Sequence, residues 1–264
     1  MESKTPQRCR SSSVIHNQTI IREKRPKRSE VLAKKKTVEE LIKTACAQKD
    51  HLAPFPGFRH FHAKGLSLCL KSGHGNKLTS PVKNYIQSLL KLNMEGPYGS
   101  EWPEEEKVKR KEMISPEAHY VFVHEVANSN ADETATMLTA AETSTCSLEN
   151  SGPFVGFVQY RFVLEEEIPV LYVYELQLEP HVQGKGLGKF LMQLIEFIAQ
   201  KNCMGAVMLT VQKANVLAMK KSYEILCKAF SDEAKIILEV KHQLRDLSDG
   251  EQELVQLDKD DSSY

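Results

Sequence analysis

Apolar positions recur at helical spacing through the first part of the chain and at strand spacing through the middle. Val31, Leu32, Val38, Leu41, Ile42 and Ala45 mark a helix from Glu30 to about Lys49, with Ser29 placed to cap it. Pro54 and Pro56 interrupt the pattern, and residues 66–70 read as a short strand. Ser80-Pro81 opens a second helix, since proline is tolerated in a first turn. Its apolar face is Tyr85, Ile86, Leu89, Leu90 and Leu92, and Gly96-Pro97 is expected to end it. Trp102-Pro103 starts a third, highly charged helix to about Ile114. Residues 119–126, 154–163 and 170–178 read as three antiparallel strands, the last two joined through Glu165-Glu166-Glu167. A helix over 186–201, a strand over 206–211 and a helix from Ala214 onward complete an α/β (α+β) chain with a mixed central sheet, flanking helices and an extra N-terminal helix.

Charge changes this picture only at the ends. Residues 1–36 carry 11 Lys/Arg against Glu2, Glu23 and Glu30, and residues 231–264 carry 10 Asp/Glu against four basic groups, in a chain of net charge zero. Three regions follow: a basic disordered head over 1–29, a folded domain over 30–230 with an inserted loop over 127–151, and an acidic tail over 231–264. The basic run from Lys24 to Lys36 reads as a nuclear address or a charge contact with ribosome or nucleic acid. The expected locations are cytoplasm and nucleus, with no membrane association, since no stretch of about 18 apolar residues occurs. The six cysteines form no CxxC pair and the nine histidines none at ligand spacing, so no metal is expected. His60-Phe61-His62, the nearest approach to a cluster, reads as loop.

The candidate chemistry lies where the strand over 170–178 runs through Glu179-Pro180-His181-Val182 into Gln183-Gly184-Lys185-Gly186-Leu187-Gly188-Lys189 and then a helix. A glycine-rich turn between strand and helix brings backbone N–H groups and a positive helix end to a phosphate. The spacing is neither that of a P-loop nor the dinucleotide pattern GxGxxG. Gln183, Gly186 and Gly188 instead stand at Gln/Arg-x-x-Gly-x-Gly/Ala spacing, which resembles the pyrophosphate loop of the GNAT acetyltransferase superfamily.

Within that superfamily, Glu101-Trp102, the run 109–113, Tyr160-Arg161-Phe162, and the runs 172–179, 185–191, 208–211 and 222–226 resemble the NatD family, N-terminal acetyltransferases dedicated to the histones H-four and H-two-A. The resemblance spans roughly residues 30 to 230 and is densest from Tyr160 to Asn215. It implies a GNAT acyl-CoA N-acyltransferase fold, acetyl-CoA as co-substrate, and transfer to the N-terminal Ser amine of a histone peptide by direct attack in a ternary complex. Glu175 would be the general base; Leu176, Gln177 and Leu178 would hold the pantetheine arm through their backbones. Gly184, Lys185, Gly186, Leu187, Gly188 and Lys189 would hold the pyrophosphate, and Asn215 would also contact acetyl-CoA. Tyr98, Trp102, Tyr174, Thr210 and Tyr223 would line the peptide pocket. Read as isolated residues, Trp102 and Tyr174 could equally be core aromatics and Glu175 a solvent-exposed carboxylate.

Two departures stand out. The family has an Asp directly after Arg-Phe; this chain has Val163 there and keeps an acidic group at Glu165. The family's helix beginning Asn-x-x-Ala is followed by a loop and part of a hairpin before Ser-Tyr-Glu-Ile-Leu, whereas here Lys220 leads almost directly to Ser222. The resemblance therefore implies an internally shortened form, a sheet lacking one strand with an exposed edge, and a displaced Tyr223. The alternative function is an inactive GNAT-like protein that only binds histone tails or CoA.

Overall fold

The computed structural model describes residues 28–126, 151–212 and 223–238. Helix α1 (Arg28–Ala47) comes first, then strands β1 (His60–Ala63) and β2 (Leu66–His74). Helices α2 (Ser80–Tyr98) and α3 (Trp102–Glu112) follow, then strands β3 (His119–Val126), β4 (Ser151–Glu165) and β5 (Ile168–Leu178). Helix α4 (Leu187–Lys201) crosses to β6 (Ala206–Gln212), and β7 (Tyr223–Ala229) pairs back on it. The seven strands stand in chain order, antiparallel throughout except for β5 and β6, which are parallel. A parallel neighbour requires a crossover, which α4 supplies.

The two faces of the sheet are separated by side-chain alternation. On β3, Val121 and Val123 point toward the layer of α1 and α4, while Tyr120 and Phe122 point toward α2 and α3. Leu187, Leu191, Leu194, Ile195 and Ile198 give α4 a continuous apolar stripe against the first face. Ile86, Leu89 and Leu90 of α2 close the second, with Trp102 and Met113.

Several expectations are corrected. His60-Phe61-His62 is not loop but most of β1, whose Phe61 is buried opposite Leu68; its short length gave no periodic signal. Pro97 does not end α2: the helix runs to Tyr98, because a proline in the last turn removes only one donor and Gly99 N–H still bonds to Glu95 O. The sheet does not stop at β6, since β7 pairs with it from Gln212↔Tyr223 to Ala206↔Ala229. The ordered packing also passes residue 230, because residues 232–238 are helical and bury Ala234 and Leu238. The expected helix from Ala214, the loop over 127–150 and the head over 1–27 lie outside the described residues.

Candidate active site

The site starts from a fault in strand alternation. Leu171 and Val173 of β5 point into the α1/α4 core, so strict alternation would send residue 175 there as well. Gln159 of β4, however, pairs with Glu175 and Tyr160 pairs with Val173, which leaves Tyr174 as an extra residue on β5. This bulge resets the parity. Leu176 and Leu178 return to the α1/α4 core, while Tyr172, Tyr174, Glu175 and Gln177 all come to the face covered by α2 and α3.

Glu175 is buried there at 6% exposure, with both oxygens engaged. Lys109 of α3 donates from Nζ to Oε1 at 2.5 Å, and Gln177 donates from Nε2 to Oε2 at 2.9 Å. Asn93 of α2 in turn donates to Gln177 Oε1 at 3.0 Å. Lys109 is only 12% exposed, and its ammonium lies 5.4 Å from the Tyr98 ring centroid. Burial works against that ammonium, but Glu175 and Tyr98 outweigh it and hold its pKa above the ordinary lysine value. Beside this pair, Arg161 lies 4.4 Å over the Tyr174 ring and donates to the Glu112 carbonyl at 2.9 Å. Burial pushes the Glu112 carboxyl up, opposed by Lys109 and Arg161.

A cavity of about 380 Å³ opens onto this group. Three carboxylates surround it, Glu105, Glu112 and Glu165, with Tyr172, Tyr174, Thr210 and Lys109. The Tyr172 hydroxyl and Thr210 Oγ1 are 2.6 Å apart across β5 and β6. Lys109, not Glu175, is the member of the ion pair that faces the opening.

On the far side of the bulge β5 and β6 diverge. They pair only from Val170↔Ala206 to Val173↔Leu209, although β5 continues to Leu178 and β6 to Gln212. Glu179 N–H bonds back to Val155 O at 2.9 Å, and a Cβ placed on Gly156 would lie 2.8 Å from Gln177 O. Antiparallel alternation therefore turns Leu176 and Leu178 away from β4, toward the gap, and Gln177 toward β4. Of the three backbones expected to hold a pantetheine arm, Leu176 and Leu178 fit, while Gln177 contributes a side-chain brace to Glu175 instead. Leu178 O is already taken by Asn93 Nδ2 at 3.2 Å and Gln183 Nε2 at 2.9 Å.

The glycine turn fits a pyrophosphate. Gly184 and Gly186 have φ of +70° and +91°, which L side chains rarely adopt, and a Cβ at Gly184, Gly186 or Gly188 would meet no atom within 4 Å. Gly186 caps α4 without a side chain, so the first-turn N–H groups at Leu187, Gly188 and Lys189 have no side-chain cap and stand at a positive helix end. Lys185 is half-buried and Lys189 exposed, both cations beside the turn. Lys64, at the β1–β2 turn, donates to Gly184 O at 3.4 Å.

Not every expected residue reaches the cavity. Trp102 is 3% exposed, packed in the α2/α3 core with Ile86, Leu89 and Phe157, because it begins α3 on the helix's inner side. Tyr98 packs against Trp102 and under Lys109 rather than lining the opening. Tyr174 and Thr210 do line it. Tyr223 is placed by its backbone opposite Gln212, and Asn215 lies outside the described residues. Sequence reasoning missed Lys109, Glu112 and Glu105 as site residues, although their i, i+3 and i, i+4 spacing on a charged helix marks one face.

Residues 97–221 match the model of the acetyltransferase (GNAT) family. The chain is similar to a GNAT-family acetyltransferase from Listeria monocytogenes, at 11% identity over 65% of this chain and 99% of that one, with a TM-score of 0.40. It is similar to PaiA N-acetyltransferase from Thermoplasma acidophilum in complex with coenzyme A, at 14% identity over 61% and 99%, with a TM-score of 0.37. A ribosomal-protein-alanine N-acetyltransferase from Brucella melitensis biovar Abortus is 14% identical over 54% and 78%, with a TM-score of 0.33. Over residues 97–221 the chain carries a GNAT-family acetyltransferase domain, and the co-substrate of that family is acetyl-CoA.

Proposed function

We propose that the protein acetylates the N-terminal α-amine of a basic peptide, the Ser-Gly-Arg-Gly end of histones H-four and H-two-A, as the NatD family does. The observation that carries this reading is the cavity at the β5 bulge, lined by Glu105, Glu112, Glu165, Tyr172 and Tyr174 together with Lys109, which pairs with Glu175. Three carboxylates beside two tyrosines suit a cationic main chain with an arginine, and they disfavour an acidic substrate. Acetyl-CoA, when bound, supplies the activated acetyl group. The turn from Gly184 to Lys189 would hold its pyrophosphate, and the N–H groups of Leu176 and Leu178 its pantetheine arm. With Val163 in place of the family's Asp, Glu165 is the acidic group that β4 offers the cavity.

The protein's own task is proton management. An α-amine has an ordinary pKa of about 8 and is largely protonated at neutral pH. Glu175, fixed by Gln177 and Asn93, receives that proton directly or through one water, leaving the nitrogen lone pair free to attack. The same reading carries residence in cytoplasm and nucleus, and a basic head that contacts ribosome or nucleic acid by charge. The test is transfer from labelled acetyl-CoA to a Ser-Gly-Arg-Gly peptide, with an Nα-blocked peptide and an internal-lysine peptide alongside. Label on the free-amine peptide alone supports the reading; label on the lysine peptide instead assigns a different amine, and a folded but silent protein supports the CoA- or tail-binding alternative.

A further inference from the structure

Glu175 has a cationic partner before any substrate arrives. Its Oε1 accepts from Lys109 Nζ at 2.5 Å, and Lys109 lines the cavity while Glu175 does not. An incoming α-ammonium has the same charge, the same three-donor geometry and, under the proposed function, the same destination. Two ammonium groups crowded on one buried carboxylate oxygen repel each other, and that like charge favours the departure of one. Lys109 has somewhere to go. Glu105 lies four residues before it and Glu112 three after it on α3, both lining the cavity, both within reach of its flexible stem.

We propose that Lys109 is a resident stand-in for the substrate ammonium: it holds Glu175 in the free protein, and the substrate's amine displaces it toward Glu105 and Glu112. This rests on the proposed function and names how that site admits its substrate. The exchange keeps the charge beside Glu175 constant, so the buried carboxylate is never left without a cation. It also confers selectivity, because only a group able to replace an ammonium reaches the base. An Nα-blocked chain end has no charge to offer and leaves Lys109 in place. Tyr98, 5.4 Å from the ammonium, and Gln177, on the other oxygen, hold the resting arrangement without entering the exchange.

The test has two arms. In the first, Lys109 is labelled, without acetyl-CoA, by a pulse of acetic anhydride far below the peptide concentration, so that the peptide amine stays free, and is read by peptide mass spectrometry relative to the exposed Lys107. Saturating Ser-Gly-Arg-Gly should raise Lys109 labelling several-fold, and the Nα-acetylated peptide should leave it unchanged. Labelling that falls or stays level with the free-amine peptide overturns the proposal. In the second arm, Lys109→Met should lower KM for the peptide by up to about tenfold, with KM for acetyl-CoA unchanged, since the competing ion pair is gone. Lys109→Arg, which grips a carboxylate with a forked contact, should raise peptide KM. A fall in kcat with peptide KM unchanged in both variants would make Lys109 only a support for Glu175 and would overturn the displacement. Should Lys109→Met fail to fold, the Arg variant and the labelling arm still decide. An inactive wild type removes the functional reading and this one together; an active wild type with unmoved peptide KM removes only this one.

Discussion

Arg161 and Tyr160 are neighbours on β4, yet they belong to two polar clusters on opposite faces of the sheet. On the α1/α4 face, Tyr160 is fully buried and its hydroxyl lies 3.0 Å from His51 Nδ1. His51 also meets Ala45 O at 3.0 Å, and its ring packs at 4.8 Å from that of His119, which packs at 4.8 Å from His74. His119 is 1% exposed, with neither ring nitrogen partnered among the described residues. Burial, then the neighbouring His51 and His74, push its pKa down to about 3. On the α2/α3 face the buried groups are charged, paired and open to a cavity. The comparison separates two reasons for a displaced ionisation. His51 and His119 are neutral packing material; the Lys109–Glu175 cluster is charge held ready for exchange.

The largest expected effect breaks the second cluster. Glu175→Gln keeps the shape and one acceptor but cannot take the proton, so the transfer rate should fall by about 10²–10⁴. Single-turnover transfer with a thermal melt in parallel checks it. A melt unchanged with activity lost places the carboxylate in the chemistry; activity retained moves the base elsewhere, with Glu112 the next candidate on the cavity wall.

Breaking the first cluster should be visible in stability and not in chemistry. His119 has a folded pKa of about 3 against an unfolded value of about 6.5, so below pH 6.5 the unfolded chain binds the proton that the folded chain refuses. Stability from this group is therefore full above pH 6.5 and drains away as pH falls toward 3. At pH 5 the loss from His119 alone is roughly 2 kcal/mol. The groups facing it are His51, His74 and Tyr160, with Asp50 coupled to His51; burial also lowers the His51 pKa and adds in the same direction. Urea unfolding at pH 7.5 and pH 5 measures the slope, and His119→Phe should flatten it. An unchanged slope in the variant would mean that the acid sensitivity comes from elsewhere.

A smaller effect sharpens the boundary between the glycine turn and the Lys109–Glu175 cluster. Gly186→Ala places an L residue at φ +91°, for a cost of about 1 kcal/mol without a clash, since nothing stands within 4 Å of the new Cβ. The turn should open or shift, raising KM for acetyl-CoA several-fold while peptide KM holds. If peptide KM moves as much, the turn and the cavity are not separable.

Much of this was legible along the chain. Periodicity marked α1 and α2, and the charged run after Trp102-Pro103 marked α3. Strand β3 appeared at its observed bounds, and the Gln183–Gly188 spacing marked the turn. What escaped was everything that depends on a partner strand or a distant helix. The bulge at Tyr174 exists only relative to β4, so alternation along β5 alone would have placed Glu175 in the wrong layer. The Lys109–Glu175 contact joins residues 66 apart, and nothing local in either segment announces it. Trp102 was ambiguous because a tryptophan at the start of a charged helix serves core and pocket equally well, and only the position of α2 decides. Residues 127–150 and 213–222 lie outside the described residues, so the expected inserted loop and the Asn215 contact stand as sequence expectations.

The smallest expected effect comes from a second lysine on the same helix. Lys107, two residues before Lys109, bonds Glu104 at 2.8 Å, a contact as short as many in the site. Both of its partners are largely in water, at 66% and 81% exposure, where side-chain entropy and screening cancel most of the attraction. Lys107→Ala should change stability by less than about 1 kcal/mol and leave both KM values as they are. A measured shift in peptide KM would show that charge on α3 acts at long range, in which case the loss of charge in Lys109→Met could not be read as removal of a local competitor. No shift assigns the effect of Lys109 to its place on Glu175: on one helix, two similar ion pairs would differ in consequence because one is dissolved in solvent and the other closes a buried site.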